Sequence, residues 1–231
     1  MMPTIRPLGD SAAIVHWGDS DNLGTCRSVR QLADALNREA GSDFTYRFKT
    51  IVPAFTSITV HFCLSRMSFQ DASLMIEQAL NRTENCPPVT PKRIEIPVCF
   101  DAFFAPDLAD VIQEHGVGQE EFIRRFCGVE YSVRMIGFSP GFPYLSGLPK
   151  ELATRRQDSP RLKVPQGSVA IGGSQTGIYP QETPGGWNII GRTPVRLFRA
   201  ELARPCLMTA GDSVSFLPIH VDQFDRWQDE Q

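Results

Sequence analysis

Between Gly137 and Pro194 the chain concentrates the two residues least compatible with a helix. This stretch of 58 residues holds 10 of the 18 Gly and 8 of the 18 Pro in a chain of 231. Gly admits backbone conformations that other residues resist, and Pro fixes φ while removing a donor. Such a segment is either unstructured or a set of short strands joined by closely specified turns. Phe138, Phe142, Tyr144, Val169, Ile171, Ile178, Tyr179, Trp187 and Ile190 decide between them. They supply the burial that a disordered segment lacks. The stretch therefore reads as an ordered, loop-rich surface on a β scaffold.

The chain on either side supports a two-part reading. Ile5–Leu8 and Ala12–Trp17 flank the turn residues Gly9 and Asp10 as short strands. Apolar residues at Leu23, Cys26, Val29, Leu32, Ala33, Leu36 and Ala40 keep helical spacing up to Gly41. Residues 46–52 and 57–64 are strand-like, and Ser57–Phe62 alternates as a sheet with one wet face does. A helix follows from Ser68, with Asp71 three residues later in a relative of the capping box. Phe69, Ala72, Met75, Ala79 and Leu80 form its apolar face. The pattern predicts an α+β N-terminal domain over 1–86, and the prolines at 87, 88 and 91 mark a linker at about 87–91.

The remainder, 92–231, is mostly β and consistent with a closed barrel. Its expected strands are 93–100, 131–136, 195–198 and 213–217. Two helical stretches interrupt them, one opening with Pro106 in its first turn and one over 118–127.

A net charge of −3 gives no electrostatic reason to expect nucleic acid. No apolar run approaches the roughly 18 residues of a membrane span, and the first residues lack the apolar core of a signal peptide. Six widely spaced cysteines without a Cys-x-x-Cys pair read as buried thiols of a cytoplasmic protein.

Gly137-Phe138-Ser139-Pro140-Gly141 fits the G-x-S-x-G elbow of serine hydrolases in letters only. The elbow needs a helix directly after its Ser and an N–H on the following residue; Pro140 and Pro143 deny the first, and Pro140 the second. His16, His61, His115 and His220 show no ligand spacing beyond His61 with Cys63, too few to close a zinc site. No metal site is expected, and no P-loop is present.

Four segments carry a resemblance: 138–145 (FSPGFPYL), 164–169 (VPQGSV), 175–180 (QTGIYP) and 183–187 (TPGGW). With 7–12, 52–57 and 211–216, they resemble the family that joins the B-type subunit of 5-oxoprolinase (PxpB), the kinase inhibitor KipI and the allophanate hydrolase subunit 1 type domain. The resemblance runs from about residue 5 to 219. It implies a small α/β N-terminal domain followed by a cyclophilin-like β-barrel. It also implies an ATP-hydrolysing enzyme component, inactive alone, that acts in a heteromeric complex. A KipA-like C-type partner and a third subunit would join it to hydrolyse 5-oxo-L-proline to L-glutamate, with ATP at the assembled complex. The alternatives it carries are a KipI-like inhibitor of a sensor histidine kinase and a urea carboxylase or allophanate hydrolase type subunit. The sequence departs from the family where Phe126-Cys127 replaces His-Ser, Arg155 replaces Pro and Gln166 replaces Ala.

For 5-oxoproline, a cyclic amide bearing a carboxylate, the site needs a cation and amide-polarising donors. Arg161 either clamps the carboxylate through two hydrogen bonds or satisfies loop carbonyls. Gln175 and Tyr179 either face a developing oxyanion or build turns. Gly185 and Gly186 either let backbone N–H groups approach a ligand or form a tight turn. Phe142, Tyr144 and Trp187 are expected as half pocket wall, half partner surface. Arg192, just before an expected strand, reads as structural.

Overall fold

In the computed structural model, residues 3–18, 23–39, 48–83 and 91–229 are described. The chain divides into two compact units, Met1–Thr90 and Pro91–Gln231. Among the described residues no helix is long and apolar enough to cross a membrane.

In the first unit, strands β1 (Thr4–Pro7), β2 (Ala12–His16), β3 (Phe48–Pro53) and β4 (Ser57–Phe62) form an antiparallel sheet in the order β1-β2-β4-β3. Helices α1 (Leu23–Glu39) and α2 (Phe69–Thr83) pack on each other and on this sheet. Alternation along β4 buries Ile58, Val60 and Phe62 against Val29, Leu32, Leu36, Ala72, Ile76 and Ala79. Each fully buried Leu or Ile there contributes about 1.5–3 kcal/mol. Ile76 belongs to that core although the expected apolar face of α2 omitted it. The start of α2 is a capping box: the Asp71 carboxylate accepts from the Ser68 N–H (2.9 Å) and hydroxyl (2.7 Å), while the Asp71 N–H donates back to Ser68 Oγ (3.2 Å). Ala40, Gly41, Tyr46 and the linker residues through Thr90 lie outside the described residues.

The second unit contains β5 (Arg93–Cys99), α3 (Leu108–His115), α4 (Gln119–Cys127), β6 (Tyr131–Ile136), β7 (Pro143–Ser146), β8 (Arg161–Val164), β9 (Ser168–Gly172), β10 (Gln175–Ile178), β11 (Thr183–Gly185), β12 (Asn188–Arg192), β13 (Ser213–Ile219) and α5 (Val221–Asp229). Seven strands close a barrel in the order β10-β7-β6-β13-β5-β12-β9, sealed by the β9–β10 hairpin. β13 runs parallel to β5 over seven residue pairs, while the other barrel pairings are antiparallel. β8 and β11 form a separate two-stranded ribbon.

The Gly/Pro stretch thus contributes four barrel strands and this ribbon. It is less superficial than expected, since Val169, Ala170, Ile171, Ile178 and Ile190 are buried. Phe122, Phe126, Tyr131 and Phe216 also fill the interior. Phe126 lies 4.9 Å from the Phe216 ring and 5.4 Å from Tyr131, whose hydroxyl donates to the Phe126 carbonyl at 2.8 Å. Phe126, near which the resemblance implies a His, is therefore core in this chain. Burial alone pushes the neighbouring Cys127 thiol up to about 12.

Three sequence expectations need correction. Residues 195–198 form no extended strand: Pro194 brings no N–H, the Val195 N–H donates to Thr193 Oγ1 (3.2 Å), and only Phe198 bridges to Cys206. Helix α3 starts at Leu108 with Asp107 as N-cap, so Pro106 precedes it. Helix α5 was not expected; Phe224 anchors it by stacking on Phe104 with centroids 4.4 Å apart.

Gly167 shows what the turns demand. Its φ is +82°, and a Cβ there would lie 2.2 Å from the Thr193 carbonyl oxygen. Gly173 has φ +68° with open space around it. Gly173→Ala is expected to cost about 1–2 kcal/mol, the left-handed backbone penalty alone. Gly167→Ala adds a backbone clash and should cost at least about 3 kcal/mol. Urea unfolding midpoints of the two variants measure the difference.

Candidate functional site

An aromatic cluster occupies the part of the barrel built by β7, β9, β10 and β12. Phe142, Val164, Ala170, Tyr179, Trp187 and Ile189 are buried together, with Tyr144 packed against them. Phe142 stands edge-on to Tyr179 (5.2 Å), Trp187 (5.6 Å) and Tyr144 (4.9 Å). Edge-to-face pairs at these separations favour one arrangement of the rings. Glycines make the room: a Cβ on Gly172 would lie 2.5 Å from the Trp187 indole, and one on Gly177 2.6 Å from Phe142. The expectation that Phe142 and Trp187 are half partner surface is corrected here, since they are 2% and 6% exposed. Phe138 is the aromatic at the surface, 60% exposed and held at φ +65° by the tight loop before β7.

Each residue singled out in the sequence has a definite place. Arg161, at the start of β8, forms an ion pair with Asp107. Asp107 is 3% exposed; its other carboxylate oxygen accepts the Ile189 N–H at 2.6 Å, and its own N–H donates to the Ile189 carbonyl at 3.1 Å. One guanidinium arm of Arg161 is thus committed to a structural crosslink between the α3 cap and β12. Its Nη1 is buried with no hydrogen-bond partner.

Tyr179 is 2% exposed. Burial pushes its phenol up, partly opposed by a hydrogen bond with the Trp187 backbone. The hydroxyl therefore stays protonated at neutral pH and retains a proton to donate. Arg156 and Arg161 are both near enough to act on it electrostatically. Gln175 is half-buried at the first position of β10, paired in register with Gly172. A Cβ on Gly185 would meet the Tyr179 hydroxyl at 2.3 Å, so this glycine gives the phenol its room. Gly186 rests over Pro160, and its carbonyl accepts the Gln157 N–H at 2.8 Å.

The structure adds groups that sequence reasoning missed. Arg156 holds its guanidinium 5.5 Å above the Trp187 ring, an exposed cation at the edge of the cluster. Gln157 donates to the Asn188 side-chain oxygen (2.6 Å), and the Asn188 amide donates to the Arg155 carbonyl (2.7 Å), pinning this loop to β12. Ser139 is followed by a turn and then β7, with no helix behind it.

Apart from this cluster, a cleft of about 610 Å³ has a lining that includes Gln166, Arg192, Arg196, Arg199, Glu201 and Phe224. Arg192, expected as structural, is half-buried with its guanidinium 5.5 Å over the Phe104 ring. Its Nε is buried without a hydrogen-bond partner, and burial pushes its pKa down. The sequence signal was the clustering of Arg192, Arg196 and Arg199 from the last position of β12 onward. Five described cysteines, Cys26, Cys63, Cys99, Cys127 and Cys206, are free thiols. Among the described residues no group of three or more His, Cys, Asp or Glu is placed to hold a metal ion.

A seven-stranded barrel with this rim is the arrangement of a carboxyltransferase-type module. Residues 3–208 match the family of the carboxyltransferase domain, subdomains C and D, and the chain belongs to that family. It is 36% identical to the B subunit of 5-oxoprolinase from Bacillus subtilis (strain 168) over 98% of this chain and 97% of that protein. It is 42% identical to the 5-oxoprolinase B subunit of Escherichia coli O157:H7, covering 91% of this chain and 94% of that one. The crystal structure of TTHA0988 is similar at a TM-score of 0.78 and 28% identity, over 94% of this chain and 40% of that one. This chain therefore spans less than half the length of that solved relative.

Arg161→Ala would leave the Asp107 carboxylate buried without its counter-ion. The variant is expected to lose about 2–3 kcal/mol of stability, read by urea denaturation, because an orphaned buried charge carries its full desolvation penalty. The double variant Asp107→Asn/Arg161→Ala should recover part of that loss.

Proposed function

We propose that this chain is the B-type subunit of an ATP-dependent 5-oxoprolinase, a hydrolase that converts 5-oxo-L-proline to L-glutamate in the cytoplasm. The observation that carries the reading is the near full-length match to two proteins named as the B subunit of that enzyme. In this reading the first unit is the α+β domain and the second a cyclophilin-like barrel. The chain is inactive alone and works with a KipA-like C-type partner and a third subunit.

Hydrolysing a lactam at useful rates requires activation, because the amide is resonance-stabilised. ATP supplies it by phosphorylating the lactam oxygen, with ADP leaving. Water then adds to the ring carbon and the C–N bond breaks with protonation of the nitrogen, leaving an acyl phosphate on the side-chain carboxyl, which a second water hydrolyses to phosphate and glutamate. This chain contributes one wall of the shared site. Arg156 and Arg161 set a positive field for the carboxylate, Gln175 supplies a donor toward charge developing on the lactam oxygen, and the buried Tyr179, beneath Trp187 and Tyr144, holds that wall in shape. The KipI-like reading gains less support, because Phe142 and Trp187 are buried and offer no surface to anchor a kinase helix.

Co-expression with a KipA-like protein and the third subunit tests the proposal. ATP cleavage dependent on 5-oxo-L-proline, with glutamate formed, is expected only when all are present; no activity from any combination refutes it. In the active assembly, Gln175→Ala should lower kcat by about 10²-fold, the scale for one transition-state donor, with little change in KM.

A further inference from the structure

Two short segments of the rim, residues 155–157 and 186–188, are bonded side by side and set Arg156 against Trp187. The peptide unit before Arg156 is held through the Arg155 carbonyl, which accepts from the Asn188 side-chain amide at 2.7 Å. The unit after it is held through the Gln157 N–H, which donates to the Gly186 carbonyl at 2.8 Å. The two anchors, Gly186 and Asn188, stand on either side of Trp187 in the chain. A residue has only two soft backbone dihedrals, so fixing both flanking peptide planes fixes the backbone of Arg156.

A third bond closes this clamp. Gln157 Nε2 donates to Asn188 Oδ1 at 2.6 Å, so the buried Asn188 side chain is engaged at its oxygen as well as its nitrogen. Arg156 between these bonds is exposed, with its guanidinium 5.5 Å over the Trp187 ring. Asp158, the nearest acid in sequence, pairs with Arg155, and Arg161 pairs with Asp107. Among the described residues no carboxylate pairs with Arg156. A guanidinium resting on an aromatic face keeps its in-plane N–H groups for a planar acceptor such as a carboxylate.

We propose that Asn188 and Gln157 are positioning residues that hold Arg156 over Trp187 as the cation receiving the substrate's carboxylate. The identity of the substrate rests on the 5-oxoprolinase reading; the clamp rests on geometry alone. The two rim arginines then have separate tasks. Arg161 serves the fold through Asp107, and Arg156 is ordered in advance for the ligand.

The isolated chain tests the clamp. An indole ring 5.5 Å away shifts the NMR resonances of the Arg156 side chain by its ring current, and Asn188→Ala and Gln157→Ala should each return them toward the values of an unstructured arginine. Gln157 is only half-buried, so its variant reports even where Asn188→Ala fails to fold. The active assembly tests the ligand role. Arg156→Gln should raise KM for 5-oxo-L-proline at least tenfold, the scale of one charge-assisted hydrogen bond, with little change in kcat. Asn188→Ala should raise KM about two- to tenfold, the scale of one lost preorganised side chain, and have no further effect in R156Q. A merely structural Asn188 would lower the melting temperature while the Arg156 resonances stay in place. Resonances unmoved in both variants, or an Asn188→Ala effect on KM that persists in R156Q, overturn the positioning role. An unchanged KM in Arg156→Gln overturns the carboxylate role. An assembly inactive in every combination refutes the 5-oxoprolinase reading and the carboxylate role with it, while the resonances still decide the clamp.

Discussion

The contact between aromatic rings and bare glycine backbone holds together one face of the barrel wall. β7, β9, β10 and β12 are only four or five residues long, so they cannot enclose a core by length. The rings of Phe142, Tyr179 and Trp187 add a second cluster beside the barrel interior, and they fit because Gly172, Gly177 and Gly185 present no Cβ where the rings lie. Close packing gains dispersion energy only when both surfaces are complementary. The glycine content that looked in sequence like a looseness of the chain is here the negative of an aromatic shape. It fixes the rim as well, since the Tyr179 hydroxyl is seated against Gly185 and bonded to the Trp187 backbone.

The Asp107–Arg161 pair ties that rim to the helical cap. A carboxylate 3% exposed is tolerated because it accepts from both a guanidinium and the Ile189 N–H. Asp107 thus joins the N-terminus of α3, β8 and β12 at one point, and residues 54 positions apart in sequence are locked together. Buried ion pairs of this kind add little net stability compared with apolar packing, but breaking one is costly. Their effect is to select a single arrangement.

What the sequence disclosed follows the range of the interaction responsible. The alternation of Ser57–Phe62 and the Ser68–Asp71 capping box depend on neighbours within a few residues, and both appear as read. The closed barrel was legible in outline because short strands punctuated by Gly and Pro have few other outcomes. Residues 195–198 have the composition of a strand but lack a partner along their length, so only Phe198 pairs. Helix α5 depends on one aromatic contact between Phe224 and the distant Phe104, and no local pattern announces it. Of the rim residues, the aromatic ones were visible through their motif. Their burial was not, because the glycines that accommodate them are supplied by other strands. Asp107 was visible only as a helix start, and Gln157 and Asn188 not at all, since each acquires its role from a distant partner.

Arg161 and Arg192 illustrate how two arginines of similar sequence setting reach different states. Each lies in a short strand of the Gly/Pro region, and each is half-buried. Arg161 meets a buried carboxylate, so its charge is compensated within the fold. Arg192 meets the face of Phe104, which offers a quadrupole worth about 0.5–2 kcal/mol and no lone pair for its Nε. The folded chain therefore carries an incompletely satisfied guanidinium at the edge of a concavity with other cations nearby. Such an arrangement is unfavourable in isolation, because a desolvated donor without an acceptor loses the hydrogen bonds it had in water. Strand register and the Phe104–Phe224 stack hold the guanidinium in that state, so the rigidity of the barrel maintains a donor that the fold leaves unsatisfied.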